Sequence, residues 1–115
     1  MKNILITGVN GQIGKRMLPA LINKYGTERI IASDYSEKLT PHYLHENTKD
    51  IKYEQIDVTD SSHLEHVITE NKIKTILNFA GMTSALSEEK PEAAKLLNID
   101  SIYYLMVLSK KYKLK

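Results

Sequence analysis

The sequence predicts an α/β fold with a parallel β-sheet covered by helices on both faces, and three observations support this prediction. Short apolar segments alternate along the chain with longer amphipathic ones. The first apolar segment is apolar at the consecutive positions 4–6, which is typical of a parallel strand buried on both faces. Three glycines lie between this segment and a helical pattern. With right-handed crossovers, the predicted elements give a four-stranded sheet of order 3-2-1-4.

Length and composition predict one domain that spans residues 1–115. Hydrophobic residues make up 42% of the chain and charged residues 26%, as in an ordinary soluble protein. The net charge of +2 is too small to indicate binding to nucleic acid or to an anionic membrane. The absence of cysteine excludes disulfides and zinc–cysteine sites. A cytoplasmic location is predicted, and a mitochondrial one stays open for a eukaryotic source.

A glycine-rich loop separates the first predicted strand, residues 2–7, from the first helix. Glycine in such a loop permits a tight turn, a close approach of the backbone to a pyrophosphate, and close packing of the helix on the strand. The helix N-terminus adds N–H groups and a partial positive charge. The alternative is a strand-to-helix turn that binds no ligand. The residues predicted to bind a dinucleotide here are Gly8, Gly11, Gln12, Ile13 and Gly14.

The first helix is predicted from its apolar residues, which recur every four positions from Ile13 to Tyr25. Gly26 is a natural stop. Pro19 lies inside this pattern, where it removes one hydrogen bond and clashes with the carbonyl of Lys15. We therefore expect a kink or an early break at Pro19.

A second strand is predicted at residues 29–33, and Asp34 follows it, 20 residues (34 − 14) after Gly14. A carboxylate at the end of this strand can accept hydrogen bonds from the ribose hydroxyls of adenosine. It would repel a 2′-phosphate, so NAD is favoured over NADP. The basic residues Lys15 and Arg16 argue in the opposite direction, because positive charges near the loop could tolerate the 2′-phosphate of NADP. We interpret them as solvated residues of the first helical turn. The alternative for Asp34 is an ordinary turn residue at the end of a strand.

Residues 35–50 are polar and predict a long surface connection, and a third strand follows at residues 51–56. Asp57 and Val58 come next, where an acid and an apolar side chain are placed to contact the amino group and ring of adenine. A capping box from Ser62 to Glu65 predicts the start of a second helix. The predicted core face of this helix consists of Leu64, Val67, Ile68 and Asn71.

A fourth strand is predicted at residues 75–79, and small residues follow it. We expect Phe79, Ala80 and Gly81 to let the nicotinamide ribose of a cofactor approach the backbone. Ser84 is a candidate for hydrogen bonding to a substrate. The alternative for this segment is a plain turn.

A third helix is predicted from Pro91, a favoured first-turn residue, to about Tyr112. Residues 99–108 are apolar nearly all round, which is more than one sheet-facing stripe requires. The surplus predicts a second covered face, against either a partner subunit or sequence outside this chain. A homodimer through the 91–112 helix is the first of these two possibilities.

Neither a metal site nor a phosphate-transfer loop is predicted. The four histidines form two pairs, at 42 and 45 and at 63 and 66, and no third ligand has a suitable spacing. We therefore interpret the histidines as surface residues. The sequence also contains no G-x-x-x-x-G-K-[ST] loop.

Four motifs together resemble those of the extended short-chain dehydrogenase/reductase family. They are Thr7-Gly8-x-x-Gly11-x-x-Gly14, Asp34, Asp57-Val58 and Phe79-Ala80-Gly81. Within this family the chain is most similar to NAD-dependent L-threonine 3-dehydrogenases. The resemblance implies a Rossmann-like three-layer fold, NAD as cofactor, and an amino-acid substrate, L-threonine, oxidised at its 3-hydroxyl. Sugar-nucleotide epimerases and dehydratases share much of this pattern and are the alternative.

The chain departs from the family pattern in two places. Asn98 is followed by Ile99, Asp100 and Ser101, with serine where the family usually has glycine. The family's catalytic Tyr-x-x-x-Lys is missing, because none of the seven tyrosines has a lysine four residues later. We therefore expect the N-terminal, NAD-binding half of such an enzyme, without the later strands or catalytic residues and inactive alone. A non-catalytic dinucleotide-binding or sensing module is the other possibility.

Overall fold

The strands form one parallel sheet in a computed structural model that describes residues 3–39, 48, 50–81 and 84–115. The strands are β1 (Ile4–Thr7), β2 (Ile30–Asp34), β3 (Lys52–Gln55) and β4 (Thr75–Asn78). Their order in the sheet is 3-2-1-4, as predicted. Because all the pairings are parallel, the carboxyl ends of the four strands lie at the same edge of the sheet.

Helices follow β1, β3 and β4. They are α1 (Gln12–Tyr25), α2 (Ser61–Glu70), α3 (Ser84–Glu89), α4 (Pro91–Lys95) and α5 (Ser101–Tyr112). A 3₁₀ turn, Thr27–Arg29, precedes β2, and a π-helical segment, Leu96–Asp100, joins α4 to α5. The predicted third helix is therefore present over residues 91–112, with Pro91 in its first turn. Neither the π-helical segment nor the short helix α3 was predicted from the sequence.

Side chains of β1 alternate between two apolar layers. Leu5 belongs to a cluster with Leu64 of α2 and Leu105 of α5, whereas Ile6 belongs to a cluster with Leu18 of α1. Leu5 and Ile6 are both fully buried. The sheet is thus covered on both faces, which confirms the three-layer Rossmann-like arrangement.

Helix α1 continues through Pro19, so the early break considered above does not occur. Leu18 and Ile22, on either side of the proline, are both buried against the sheet. Burying two such side chains contributes about 3–6 kcal/mol, which offsets the cost of about 3 kcal/mol for a proline inside a helix. Tertiary packing therefore overrides the local preference.

The N-terminus of α2 is capped by Asp60, whereas the capping-box pattern predicted Ser62 as the cap. One carboxylate oxygen of Asp60 accepts a hydrogen bond from the His63 N–H at 3.1 Å. Aspartate and serine are equally good caps, and Asp60, Ser61 and Ser62 are consecutive, so helical periodicity could not choose between them. The predicted core residues Leu64, Val67 and Ile68 are buried.

Backbone pairing continues at the outer edge of β4. The Lys115 N–H donates to the Lys74 carbonyl at 2.9 Å, and the Ile76 N–H donates to the Lys115 carbonyl at 2.8 Å. Two bonds from one residue to two positions on its neighbour are the pattern of a parallel ladder. Lys115 therefore extends the sheet by one residue beyond β4.

A stripe of exposed apolar side chains runs along the helical stretch that follows α4. We call it the α5 apolar face, and its members are Ile99, Ile102, Tyr103, Met106 and Val107. Leu105 and Leu108 face the sheet instead and are buried. The apolar surplus predicted from the sequence is therefore exposed in the described part of the chain.

Part of the predicted surface connection lies outside the described residues, namely positions 40–47 and 49, which include His42 and His45. Residues 35–38 form bends directly after β2. Among the described helices, none has the length and hydropathy that a membrane crossing requires.

Candidate functional site

The candidate site lies along the edge of the sheet where the four strands end. The glycine loop leaves β1 at this edge, Asp34 ends β2, and Asn78 ends β4. The strand order reverses between β1 and β4. Open α/β sheets bind ligands in the crevice at such a reversal, outside the carboxyl ends of the strands.

Gly8 and Gly14 are required by the fold itself. Gly8 has a φ of +70°, and a Cβ added to it would lie 2.4 Å from the backbone nitrogen of Ala80. A Cβ added to Gly14 would lie 2.1 Å from the carbonyl oxygen of Gly8. The two glycines thus allow the loop to contact the chain after β4 and allow α1 to contact the loop.

Gly11 differs from the other two glycines because the fold does not require it. Its φ of −77° suits any residue, and an added Cβ would meet the Gly8 oxygen at 3.4 Å, an ordinary van der Waals contact. Gly11 is exposed and is the N-cap of α1, so no side chain there accepts bonds from the first-turn N–H groups. Gln12 and Ile13, in that first turn, are exposed as well. This arrangement leaves backbone N–H groups accessible to an anion.

The Asp34 side chain lies next to the glycine loop. The residue is 8% exposed. Its Oδ2 accepts a hydrogen bond from the Asn10 N–H at 2.9 Å, and its Oδ1 accepts one from the Tyr35 N–H at 2.7 Å. Each carboxylate oxygen keeps a further lone pair for another donor. The structure therefore places a carboxylate with remaining acceptor capacity beside the loop.

Asp57 and Val58 follow β3 and differ in exposure. Asp57 is exposed, and its Oδ1 accepts bonds from the Thr59 N–H at 2.9 Å and the Thr59 hydroxyl at 2.6 Å. Val58 is buried, at 5% exposed. The contact of these two residues with adenine stays a prediction.

Hydrogen bonds join the end of β4 to the end of β1. The Phe79 N–H donates to the Thr7 carbonyl at 3.1 Å. The Thr7 hydroxyl donates to the side-chain oxygen of Asn78, which also accepts from the Ala80 N–H at 3.4 Å. Thr7 and Asn78 therefore fix the start of the segment that lies against Gly8.

Gly81 and the π-helical segment are close in space. A Cβ on Gly81 would lie 3.5 Å from the side-chain oxygen of Asn98, and the Asn98 amide nitrogen lies 3.5 Å from the Ser87 hydroxyl. Ser101, the departure from the family pattern, is buried, and its hydroxyl donates to the Leu97 carbonyl. Ser84 begins α3, and its side chain lies outside the described part of the structure, so its predicted contact with a substrate stays a prediction.

Three side chains that support this site were not predicted from the sequence, namely Asn10, Tyr53 and Gln55. Tyr53 and Gln55 are two residues apart on β3, so strand periodicity places them on one face. Burial, and secondly the nearby Asp34 carboxylate, raises the pKa of Tyr53 to about 12. No pattern in the sequence shows that this face meets the segment after Asp34.

Metal-ligating side chains do not cluster in the part of the chain that the structure describes. No group of three or more His, Asp or Glu side chains there is arranged to hold a metal ion. His63 and His66 lie on α2, half-buried and exposed respectively.

Sequence comparison supports a family assignment. Residues 5–115 match the model of the GDP-mannose 4,6 dehydratase family. The chain is also 34% identical, over all 115 residues, to an uncharacterised epimerase/dehydratase of Staphylococcus epidermidis, and the match covers 35% of that protein.

Solved structures of two dehydrogenases superpose on this chain. A monomeric L-threonine 3-dehydrogenase from a metagenome, in its apo form, matches with a TM-score of 0.85 and 35% identity, over 97% of this chain and 34% of that one. The L-threonine dehydrogenase of Clostridium difficile matches with a TM-score of 0.85 and 32% identity, over 100% of this chain and 35% of that one. The chain therefore spans about a third of the length of these relatives. Because the family model covers nearly all of its residues, the chain belongs to the GDP-mannose 4,6 dehydratase family, within the extended short-chain dehydrogenases/reductases.

Proposed function

We propose that this chain is the NAD-binding, N-terminal part of an oxidoreductase, and that residues 1–115 belong to a single Rossmann domain. The Asp34 carboxylate carries this proposal, because it ends β2, lies beside the glycine loop and keeps acceptor capacity. Gly11, which the fold does not require, and the uncapped start of α1 fit the pyrophosphate of the same cofactor. The described residues therefore suit both the ribose and the pyrophosphate of the adenosine diphosphate part of NAD.

Each part of the proposed site has its own role. The first turn of α1 and the glycine loop bind the pyrophosphate through backbone N–H groups. Asp34 accepts hydrogen bonds from the ribose hydroxyls, and Asp57 with Val58 contacts adenine. The segment after β4 lies along the nicotinamide ribose, and Ser84 contacts the substrate. When bound, NAD supplies the hydride acceptor. The residues of the proposed site are Gly8, Gly11, Gln12, Ile13, Gly14, Asp34, Asp57, Val58, Phe79, Ala80, Gly81 and Ser84.

Charge favours NAD over NADP at this site. A unit charge 4 Å from the Asp34 carboxylate would be repelled by about 1 kcal/mol in water and by about 4 kcal/mol at an effective dielectric constant of 20. Asp34 is nearly buried, so its surroundings lie between these limits. The 2′-phosphate of NADP carries more than one charge, whereas the 2′-hydroxyl of NAD donates a hydrogen bond.

We propose L-threonine, oxidised at its 3-hydroxyl, as the substrate of the complete enzyme. The two threonine dehydrogenases, at 35% and 32% identity, support this substrate. An NAD-dependent sugar-nucleotide epimerase or dehydratase is the second candidate, because the family model and the staphylococcal relative favour it. A non-catalytic dinucleotide-binding module is the third candidate.

NAD is expected to bind this chain without turnover. Titration calorimetry should show saturable binding of NAD, and NADP should bind at least about tenfold more weakly, which corresponds to about 1.4 kcal/mol. L-threonine added with NAD should produce no increase in absorbance at 340 nm above the blank. Absence of any NAD binding contradicts the proposed function, whereas threonine-dependent formation of NADH contradicts only the predicted inactivity.

We also propose that two copies of the chain associate through the α5 apolar face. Met106 is 65% exposed and Tyr103 is 63% exposed on this face. A continuous exposed apolar surface of this kind is typical of an interface. The metagenomic dehydrogenase is described as monomeric, so association through this face would distinguish the present chain from that relative.

Sedimentation equilibrium tests this association. The unmutated chain should show a concentration-dependent dimer, and Met106→Glu should sediment as a monomer because a charge would be buried at the interface. Ala20→Glu, which adds the same charge to the exposed side of α1, should leave the dimer intact. A monomer at all concentrations for the unmutated chain would reject the association.

A further inference from the structure

Tyr53 contacts the segment that follows Asp34, although it lies on the neighbouring strand. Its hydroxyl donates to the Ser36 carbonyl at 2.6 Å and lies 3.4 Å from the Asp34 carbonyl. Its ring packs, partly buried, against the apolar cluster on the α1 side of the sheet. The side chain is therefore held at both ends, by its ring and by its hydroxyl.

Strand β3 and the residue directly after it donate hydrogen bonds to three successive carbonyls, which begin at Asp34. The Ile56 N–H donates to the Asp34 carbonyl at 2.9 Å, and the Gln55 amide donates to the Tyr35 carbonyl at 2.9 Å. Tyr53 adds the bond to Ser36. The bond to the Asp34 carbonyl continues the sheet, whereas the bonds to the Tyr35 and Ser36 carbonyls come from the side chains of Gln55 and Tyr53.

Asn10 holds the same segment from the side of the glycine loop. Its N–H binds the Asp34 carboxylate at 2.9 Å, and its side-chain amide donates to the Lys38 carbonyl at 3.1 Å. The Asn10 side chain also hydrogen-bonds the Tyr53 hydroxyl. Because a tyrosine hydroxyl has only one proton, which goes to Ser36, it acts as the acceptor in the bond with Asn10.

From these contacts we propose that Tyr53 is a positioning residue that sets the preference of the site for NAD over NADP. By linking Asn10 to Ser36, Tyr53 holds the Asn10 N–H against Asp34 and so fixes the carboxylate that receives the ribose hydroxyls. This inference rests on the proposed function. It assigns to Tyr53 and Asn10 the positioning of Asp34, which the glycine motif alone does not predict.

Selectivity depends on this positioning because NAD and NADP use Asp34 differently. NAD gains affinity only if the carboxylate is aligned with its hydroxyls, whereas NADP is repelled by the same charge. A carboxylate that can move away loses bonds to NAD and reduces the repulsion of NADP. The pKa of about 12 keeps the Tyr53 hydroxyl protonated at neutral pH, so the link persists there.

Tyr53→Phe removes the hydroxyl and keeps the ring that packs against the core. Titration calorimetry of the chain should show NAD binding weakened about fivefold to tenfold, the loss expected for one or two hydrogen bonds. NADP binding should change by less than about twofold, so the ratio of the two dissociation constants narrows. Tyr104→Phe, which removes a tyrosine hydroxyl from α5 outside the α5 apolar face, is the matched control and should change neither constant.

Asn10→Ala provides a second variant, because it removes the side-chain amide and keeps the backbone N–H. It should reduce the preference for NAD over NADP in the same way as Tyr53→Phe. The double variant should lose little more NAD affinity than either single variant, since both substitutions break the same link between Asn10 and Tyr53. An unchanged NAD-to-NADP ratio in both single variants overturns this inference while leaving the proposed function intact. Absence of NAD binding by the unmutated chain overturns both.

Discussion

Gly14→Ala is expected to destabilise the chain by about 3 kcal/mol. The new Cβ would lie 2.1 Å from the Gly8 oxygen and 2.7 Å from the Val9 Cα, and both are backbone atoms that cannot rotate away. Alanine favours a helix over glycine by about 1 kcal/mol, so the collision outweighs the gain in helix propensity. Urea unfolding followed by circular dichroism measures this loss as a lower midpoint.

Gly11→Ala is the matched control for that experiment. Its Cβ would meet the Gly8 oxygen at 3.4 Å in an extended backbone conformation, so unfolding should change by less than about 1 kcal/mol. NAD binding should nevertheless weaken, because the methyl group occupies the space that the pyrophosphate approaches. Equal destabilisation by the two substitutions would contradict the different steric roles of Gly14 and Gly11 in the fold. Unchanged NAD binding by Gly11→Ala would contradict the role of Gly11.

Asp34→Asn is expected to weaken NAD binding about tenfold to a hundredfold, a loss of about 1.4–2.7 kcal/mol. An amide has one oxygen where the carboxylate has two, so it cannot accept from Asn10, Tyr35 and both ribose hydroxyls together. NADP should lose less, because the charge that repels its 2′-phosphate is gone. Unfolding should also become easier by about 1–3 kcal/mol, since one buried backbone N–H loses its acceptor.

Glu37→Gln controls for the change in net charge. Glu37 lies in the same segment, three residues after Asp34, and is exposed. Removing its charge should leave the affinities for NAD and NADP nearly unchanged, because exposed charges are screened by solvent and salt. If both substitutions change NAD binding equally, a general effect of charge would explain the result and the specific role of Asp34 would be rejected.

Sequence-based prediction succeeded where the signal is local. The apolar run of β1, the glycines after it and the acid after β2 are each readable within a few residues, and their positions agree with the structure. The core residues Leu64, Val67 and Ile68 of α2 follow from helical spacing and are buried. In these places local preference and tertiary packing favour the same structure.

Prediction failed where two local solutions were equally good or where packing opposed the local preference. Asp60 and Ser62 are both suitable caps, and the contact with His63 decided in favour of Asp60. Pro19 weakens its helix locally, but the burial of residues on both sides keeps the helix intact. The π-helical segment Leu96–Asp100 has no pattern in the sequence that marks it.

The sequence by itself determined the order of the elements, the parallel sheet and the edge at which the candidate site lies, because periodicity and glycine spacing are properties of neighbouring residues. Only the tertiary structure decided which glycine could carry a side chain without a steric clash, and which side chains hold the Asp34 carboxylate. A Cβ on Gly14 would lie much closer to the Gly8 carbonyl oxygen than one on Gly11 would, and Tyr53 on β3 bonds to Ser36, which follows the neighbouring strand β2. Such contacts join residues that are distant along the chain, so they arise only when the sheet has formed.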